Sequence, residues 1–184
     1  HSYHVADLSP YMLSVGSLRW RKGYHISIRS FAKVVNNFPN LKYVIVGKIY
    51  GQRYYTKMRY HIQRLGLEGK VIILNAIEDK EIVSALYRNA QLFCLFPLAE
   101  GYDVEGFGMV FLEAAAAGLP IVAARTGGVE DAVHEGENVV LVQAEDLSSY
   151  NDPDRTDPLA DALQNILRDE ELKKRMSEAS LVFA

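Results

Sequence analysis

Six short, largely apolar runs separated by helical patterns set narrow limits on what this chain can form. They are Tyr11 to Ser17, Leu41 to Val46, Val71 to Leu74, Leu92 to Phe96, Ile121 to Ala124 and Val139 to Val142. Continuous rather than alternating apolar runs belong to strands buried on both faces, as in a parallel sheet covered by helices on each side. The segments between them agree. Ile28, Phe31, Ala32 and Val35 share a helical face after the first run, Tyr55, Met58, Ile62 and Leu65 are in register over residues 53 to 65, and Val83, Leu86, Tyr87 and Ala90 face inward over 79 to 90. Val129 to Val133 reads as a short helix. Asp157 as N-cap and Pro158 at the first helical position open another, with Leu159, Leu163, Ile166 and Leu167 on its apolar face, and a last helix is predicted near Glu170 to Ala184. The expected class is α/β: a doubly wound parallel six-stranded sheet with helices on both faces. The first ten residues carry no readable pattern, and Gln143 to Asp157, acidic and polar with Pro153, reads as a surface loop.

A chain of 184 residues, 49% apolar and 23% charged, suffices for one domain that buries roughly 70% of its unfolded surface. The net charge is −3, and with both signs read as spread along the chain it gives no electrostatic footprint for nucleic acid. Cys94, the single cysteine, lies inside the fourth apolar run and reads as a core residue suited to a reducing compartment. No run approaches the ~18 apolar residues of a membrane span, so a cytoplasmic protein is expected. His25, His61 and His134 have no metal-ligand spacing, and Asp152-Pro153-Asp154, although it resembles a metal-binding Asp-x-Asp motif, follows no strand end; no metal site is expected. Gly106 to Phe111 lacks the third glycine of a dinucleotide fingerprint, and no Gly-Lys-Ser/Thr loop is present.

The chemistry concentrates after the fourth run. Pro97 and Gly101 break the chain into a loop, and Gly106-Phe107-Gly108 turns it into a helix from Met109 to Ala117. Glycines at 106 and 108 let a ligand approach the backbone, and the unpaired N–H groups of a first helical turn favour phosphate. Glu105 and Glu113 bracket this turn. Eight helical steps would separate their α-carbons by roughly 12 Å, wide for the acid/base pair of a glycoside hydrolase at about 5 to 9.5 Å. They read instead as hydroxyl-binding groups at two different sugars.

The run Glu105-Gly-Phe-Gly-Met-Val-Phe-Leu-Glu113-Ala, followed by Ala117-Gly118-Leu119-Pro120-Ile121-Val122 and Thr126-Gly127-Gly128, resembles the donor-site motif of retaining glycosyltransferases of family 4, which have the GT-B fold. The resemblance runs from Val15 to about Leu167. It implies one Rossmann-like domain over residues 1 to 184, the carboxyl-terminal, donor-binding half of a two-domain enzyme, with the amino-terminal acceptor domain absent from this sequence. By resemblance Glu113 accepts hydrogen bonds from ribose hydroxyls. Glu105 and the amides of Gly106, Phe107, Gly108 and Met109 hold the transferred hexose, and the amides from Gly108 to Val110 face the diphosphate. The base is placed near Asn75 to Ile77. The family's first loop has Gly-Arg and, five residues after that Arg, a Lys; here those positions hold Ser17 and Lys22. Lys22 matches as the catalytic phosphate-binding cation, Ser17 departs from the pattern, and Arg19 or Arg21 stands close enough in sequence to supply the second guanidinium. Gly127 and Gly128 serve equally as a plain turn or a ligand contact.

Tyr102-Asp103-Val104 further resembles the phosphatidylinositol mannosyltransferase branch. The implied activity is metal- and cofactor-independent transfer of a hexose, of mannose or glucose type, from a UDP-sugar or GDP-sugar to a glycan or lipid acceptor, the isolated domain being inactive. A stand-alone nucleotide-binding or regulatory module and a sugar-nucleotide epimerase of related fold are the alternatives. Arg53, Lys57 and Arg64 fall on one helical stripe, either a solvated face or one that approaches an anionic membrane at its inner surface.

Overall fold

The computed structural model describes residues 5–98, 108–126, 129–130, 133–143 and 157–184. Six strands, β1 (Tyr11–Val15), β2 (Lys42–Val46), β3 (Val71–Leu74), β4 (Leu92–Leu95), β5 (Ile121–Ala124) and β6 (Val139–Val142), form one sheet in the order β3-β2-β1-β4-β5-β6. Every pairing is parallel. Between them lie α1 (Tyr24–Asn37), α2 (Gln52–Arg64), α3 (Lys80–Asn89) and α4 (Met109–Ala116), and after them α5 (Pro158–Arg168) and α6 (Glu170–Phe183). From β1 the chain winds one way through β2 and β3, then returns and winds the other way through β4 to β6. Right-handed crossovers therefore put α1 and α2 on one face and α3 and α4 on the other. Helix α5 packs on α1, and α6 on α4. This is the Rossmann-like strand order, whose reversal point between β1 and β4 opens a crevice at the carboxyl ends of the strands.

Burial on both faces explains the continuous apolar runs. Tyr11, Met12, Leu13, Phe93, Cys94 and Leu95 are all fully buried. Polar atoms inside the sheet are satisfied locally: Ser14 Oγ meets the Tyr43 hydroxyl at 2.7 Å and donates to the Cys94 carbonyl, and the Tyr11 hydroxyl donates to Leu86 O at 2.6 Å. Burial pushes the Cys94 thiol up to about 12, so this cysteine is an inert packing group.

Three aspartates start helices by accepting first-turn amides: Asp79 for α3, Asp157 for α5 and Asp169 for α6. Asp157 does more than cap, since its Oδ1 also accepts from Ser30 Oγ at 2.9 Å and its Oδ2 lies 3.6 Å from Lys33 Nζ, which fastens α5 to α1. Asp157→Ala should cost about 2 kcal/mol, the upper end for a lost cap. In a thermal melt that is a fall of roughly 4 to 8 °C for a domain of this size.

The inward faces of α3 and α5 are those predicted, whereas those of α1 and α2 are centred differently. In α1 the buried apolar residues are Tyr24, Ile26, Ile28, Phe31 and Val34, with Ala32 and Val35 only partly covered. In α2 it is Tyr54, Met58 and Ile62, with Tyr55 partly covered and Leu65 38% exposed beyond the helix end. The reason lies across the interface: the Tyr54 hydroxyl accepts from the backbone N–H of His25 and meets its Nδ1 at 3.0 Å, so the first of two adjacent tyrosines turns inward. The first strand ends at Val15, two residues short of the predicted run. The short helix expected at Val129 to Val133 lies partly outside the described residues, as does the Gln143 to Asp157 loop.

Nor are the two signs of charge spread along the chain. Residues 8 to 67 contain eleven lysines and arginines and no aspartate or glutamate, whereas the remaining residues contain nine against twenty-three. The basic segment builds β1, α1, β2 and α2, so one side of one face is cationic.

Candidate donor-binding site

The crevice at the reversal point is built from the loops after β1 and β4. The loop after β1 turns through a short 3-10 helix, Trp20–Lys22, and Gly23 stops it in a left-handed conformation with φ +66°. A Cβ on Gly23 would lie 1.9 Å from the carbonyl oxygen of Phe96. The two loops are thus in direct backbone contact, and the Leu98 N–H donates to Arg21 O at 2.7 Å beside it. Lys22 is held here, 7% exposed, with its aliphatic stem packed near Gly16. Ser17 and Arg19 precede it. The Arg19 guanidinium lies 3.4 Å over the centre of the Tyr50 ring, and its Nε is buried without an acceptor among the described residues. A buried N–H left unpaired is costly, so the arrangement suits an anionic ligand.

Helix α4 begins immediately after Gly108, which takes φ +62° and offers no side-chain cap. The amides of Met109 and Val110 have no partner within the helix. Met109 is 61% exposed, which leaves the helix start accessible. One turn further on, Glu113 Oε2 accepts from the Tyr87 hydroxyl at 2.8 Å. Burial first, and then the charge and hydrogen bond of Glu113, raise the Tyr87 pKa well above the ordinary phenol value, with Tyr24 contributing. Tyr87 therefore stays a donor, and its bond leaves Oε1 of Glu113 for another partner. The Tyr24 hydroxyl donates to Gly16 O at 2.8 Å, tying the start of α1 to the end of β1.

Glu113 and Tyr87 line a groove of about 580 Å³ between α3 and α4, together with Ile77, Val83, Arg88 and Ala117. The groove brings Glu113 and Ile77, 36 residues apart in the chain, to one cavity. Ala76, just before Ile77, has φ +51°, a left-handed conformation that costs a residue with a Cβ about 1 to 2 kcal/mol. Such strain clusters at ligand sites. Glu105, Gly106 and Phe107, and with them Gly127 and Gly128, lie outside the described residues, as does Asp152 to Asp154. No cluster of His, Cys, Asp and Glu able to hold a metal occurs among the described residues.

What sequence reasoning missed is Tyr87 as the partner of Glu113. It appeared only as an inward-facing residue of α3, and nothing at a separation of 26 residues marks the pairing. His25 proves to be a packing residue, stacked on Trp20 at 3.9 Å between ring centres. Burial first, then Lys57, His61 and Arg29, lower its pKa to about 3. The unfolded chain therefore takes up a proton below pH ~6.5 that the folded protein refuses, and stability falls with pH by up to about 1.4 kcal/mol per unit from there downward. Melting temperatures measured from about pH 7 to 5 should decline less steeply in His25→Gln than in the parent protein.

A family model for "Glycosyl transferases group 1" matches residues 4–181. The chain belongs to this family. Among group 1 glycosyltransferases, the D-inositol 3-phosphate glycosyltransferase of Corynebacterium glutamicum is 33% identical over 173 residues, covering 92% of this chain and 38% of the relative. A GDP-mannose-dependent alpha-(1-6)-phosphatidylinositol monomannoside mannosyltransferase of Mycolicibacterium smegmatis is 30% identical over 149 residues, 80% of this chain and 38% of the relative. The crystal structure of Anabaena HepE in complex with UDP and glucose superposes with a TM-score of 0.79 at 26% identity, over 97% of this chain and 44% of that one. The chain spans less than half the length of these relatives.

Proposed function

We propose that this group 1 chain is the carboxyl-terminal, donor-binding half of a retaining, metal- and cofactor-independent GT-B transferase that moves a hexose, of mannose or glucose type, from UDP or GDP to a glycan or lipid acceptor. The observation that carries the reading is the Glu113 carboxylate, fixed by Tyr87 at the edge of a nucleoside-sized groove and one turn from the open start of α4. The likeness to an enzyme crystallised with UDP and glucose supports it.

On this reading the base enters at Ile77, the ribose hydroxyls donate to Glu113, and the diphosphate meets the amides of Gly108, Met109 and Val110, with Lys22 and Arg19 opposite. Arg19 takes the place of the arginine that the family carries where this chain has Ser17. Glu105, Gly106 and Phe107 hold the sugar. As the bond from the anomeric carbon to the diphosphate oxygen breaks, charge grows on that oxygen, and Lys22 with the helix amides stabilises it, a preorganised electrostatic contribution. The acceptor is bound by a second domain beyond this chain, in an enzyme that works at the cytoplasmic side of the membrane.

A thermal melt with millimolar UDP, GDP and ADP tests the donor site. At about ten times its dissociation constant a ligand adds ~1.4 kcal/mol, a rise of roughly 3 to 6 °C. One diphosphate should give the rise, unchanged by EDTA. No rise with any of the three in a folded sample would refute the assignment.

A further inference from the structure

We infer that the exposed face of α2, with Trp20 and Tyr50 at its edge, docks on an anionic lipid bilayer. The face is laid out by helical periodicity. Tyr54, Met58 and Ile62 point into the core, so Arg53, Lys57, Tyr60 and Arg64, at i, i+4, i+7 and i+11, form a stripe on the outside, about 16 Å long. Tyr60 is 53% exposed, Tyr50 63% and Trp20 41%. Lys57 Nζ sits 4.2 Å over the Trp20 ring, and Arg64 donates to the Tyr60 hydroxyl at 3.0 Å. Cations and amphipathic rings are thus interleaved on a single surface.

Two observations choose the occupant. First, Arg53, Lys57, Arg59 and Arg64 make no ion pair among the described residues, and no carboxylate occurs anywhere in residues 8 to 67. Clustering like charges costs free energy that an anionic partner would return. Second, the exposed rings are tyrosine and tryptophan rather than leucine or phenylalanine. Such rings suit a boundary where one edge is apolar and the other wet, and arginine and lysine stems can lie along it with their heads among phosphates. A surface of anionic headgroups satisfies the charge, the flat helical stripe and the aromatic edge together. The edge is contiguous with the loop that carries Arg19 and Lys22, so docking would set the mouth of the crevice beside the bilayer. The inference does not rest on the donor-site reading.

The test uses this chain without nucleotide and sedimentation with vesicles of phosphatidylcholine alone or mixed with phosphatidylglycerol. Trp20 is the single tryptophan, so its emission reports on this face specifically. Binding is expected only to the phosphatidylglycerol vesicles, with a blue shift of Trp20 emission and protection from an aqueous quencher. It should disappear in about 0.5 M salt, where the screening length falls to roughly 4 Å. The triple variant Arg53→Gln/Lys57→Gln/Arg64→Gln should bind about a hundredfold more weakly, at roughly fivefold per cation, while melting like the parent. Lys174→Gln/Arg175→Gln, on exposed α6 positions, should bind normally. Failure to sediment with anionic vesicles, undiminished binding by the triple variant, or binding without a change at Trp20 would overturn the inference. So would low-salt dimerisation without vesicle binding, or a salt-sensitive preference for a DNA oligonucleotide over vesicles.

Discussion

Gly23→Ala should destabilise this protein by about 4 kcal/mol or more, among the largest effects a single methyl group produces. Two costs combine. The residue has φ +66°, and a Cβ there carries a penalty of ~1 to 2 kcal/mol. The methyl would also stand 1.9 Å from the Phe96 carbonyl oxygen and 3.0 Å from its carbon. Both are backbone atoms at the end of an interior strand, so relief requires β4 or the loop after β1 to move. Gly66→Ala separates the two costs, because Gly66 has φ +65° with nothing within 4 Å of the added carbon. Denaturant midpoints should therefore fall modestly for Gly66→Ala and severely for Gly23→Ala. Equal losses would mean that the contact between the two loops is looser than 1.9 Å implies.

The second large effect is expected on binding. Hydrogen bonds to a charged group are worth ~1.5 to 3 kcal/mol each, so Glu113→Ala should weaken nucleoside diphosphate binding by tenfold or more in calorimetric titration. Tyr87→Phe keeps the ring stacked near Phe93 and removes only the hydroxyl that steadies Glu113. It should weaken binding severalfold and lower stability by about 1 kcal/mol. Combined, the two changes should cost less than their sum, since with Glu113 gone the Tyr87 hydroxyl has no bond to lose. Unchanged affinity in Glu113→Ala would remove the ribose assignment, and strict additivity would mean that Tyr87 acts independently of Glu113.

Much of the fold was legible because parallel strands buried on both faces leave an uninterrupted apolar signature. Val71–Leu74, Ile121–Ala124 and Val139–Val142 were placed to the residue. The capping chemistry at Asp157 and Pro158 was equally plain, since an N-cap and a proline at the first helical position act locally. Helix faces were harder to read. Tyr54 and Tyr55 are the same residue type one position apart, and only the distant His25 decides which turns inward. The donor-site motif was readable as a string, so Glu113 and Lys22 could be singled out. The groove that joins Glu113 to Ile77, the Tyr87 bond and the contact between Gly23 and Phe96 depend on how the chain closes on itself and left no local mark. The cationic face was overlooked for another reason: a net charge is a sum, and −3 conceals a segment, residues 8 to 67, with eleven lysines and arginines and no aspartate or glutamate.

That concealment has a practical side. A molecule whose formal charge is negative at neutral pH, with an isoelectric point near 6.0, would ordinarily pass through a cation-exchange column at pH 7. This one carries a permanent electric dipole with its positive end on α1 and α2. It should orient on contact with the resin, be retained, and elute in a salt gradient, while also adhering to an anion exchanger through its opposite side. Purification would thus sort it by how its charge is arranged in space rather than by how much it has.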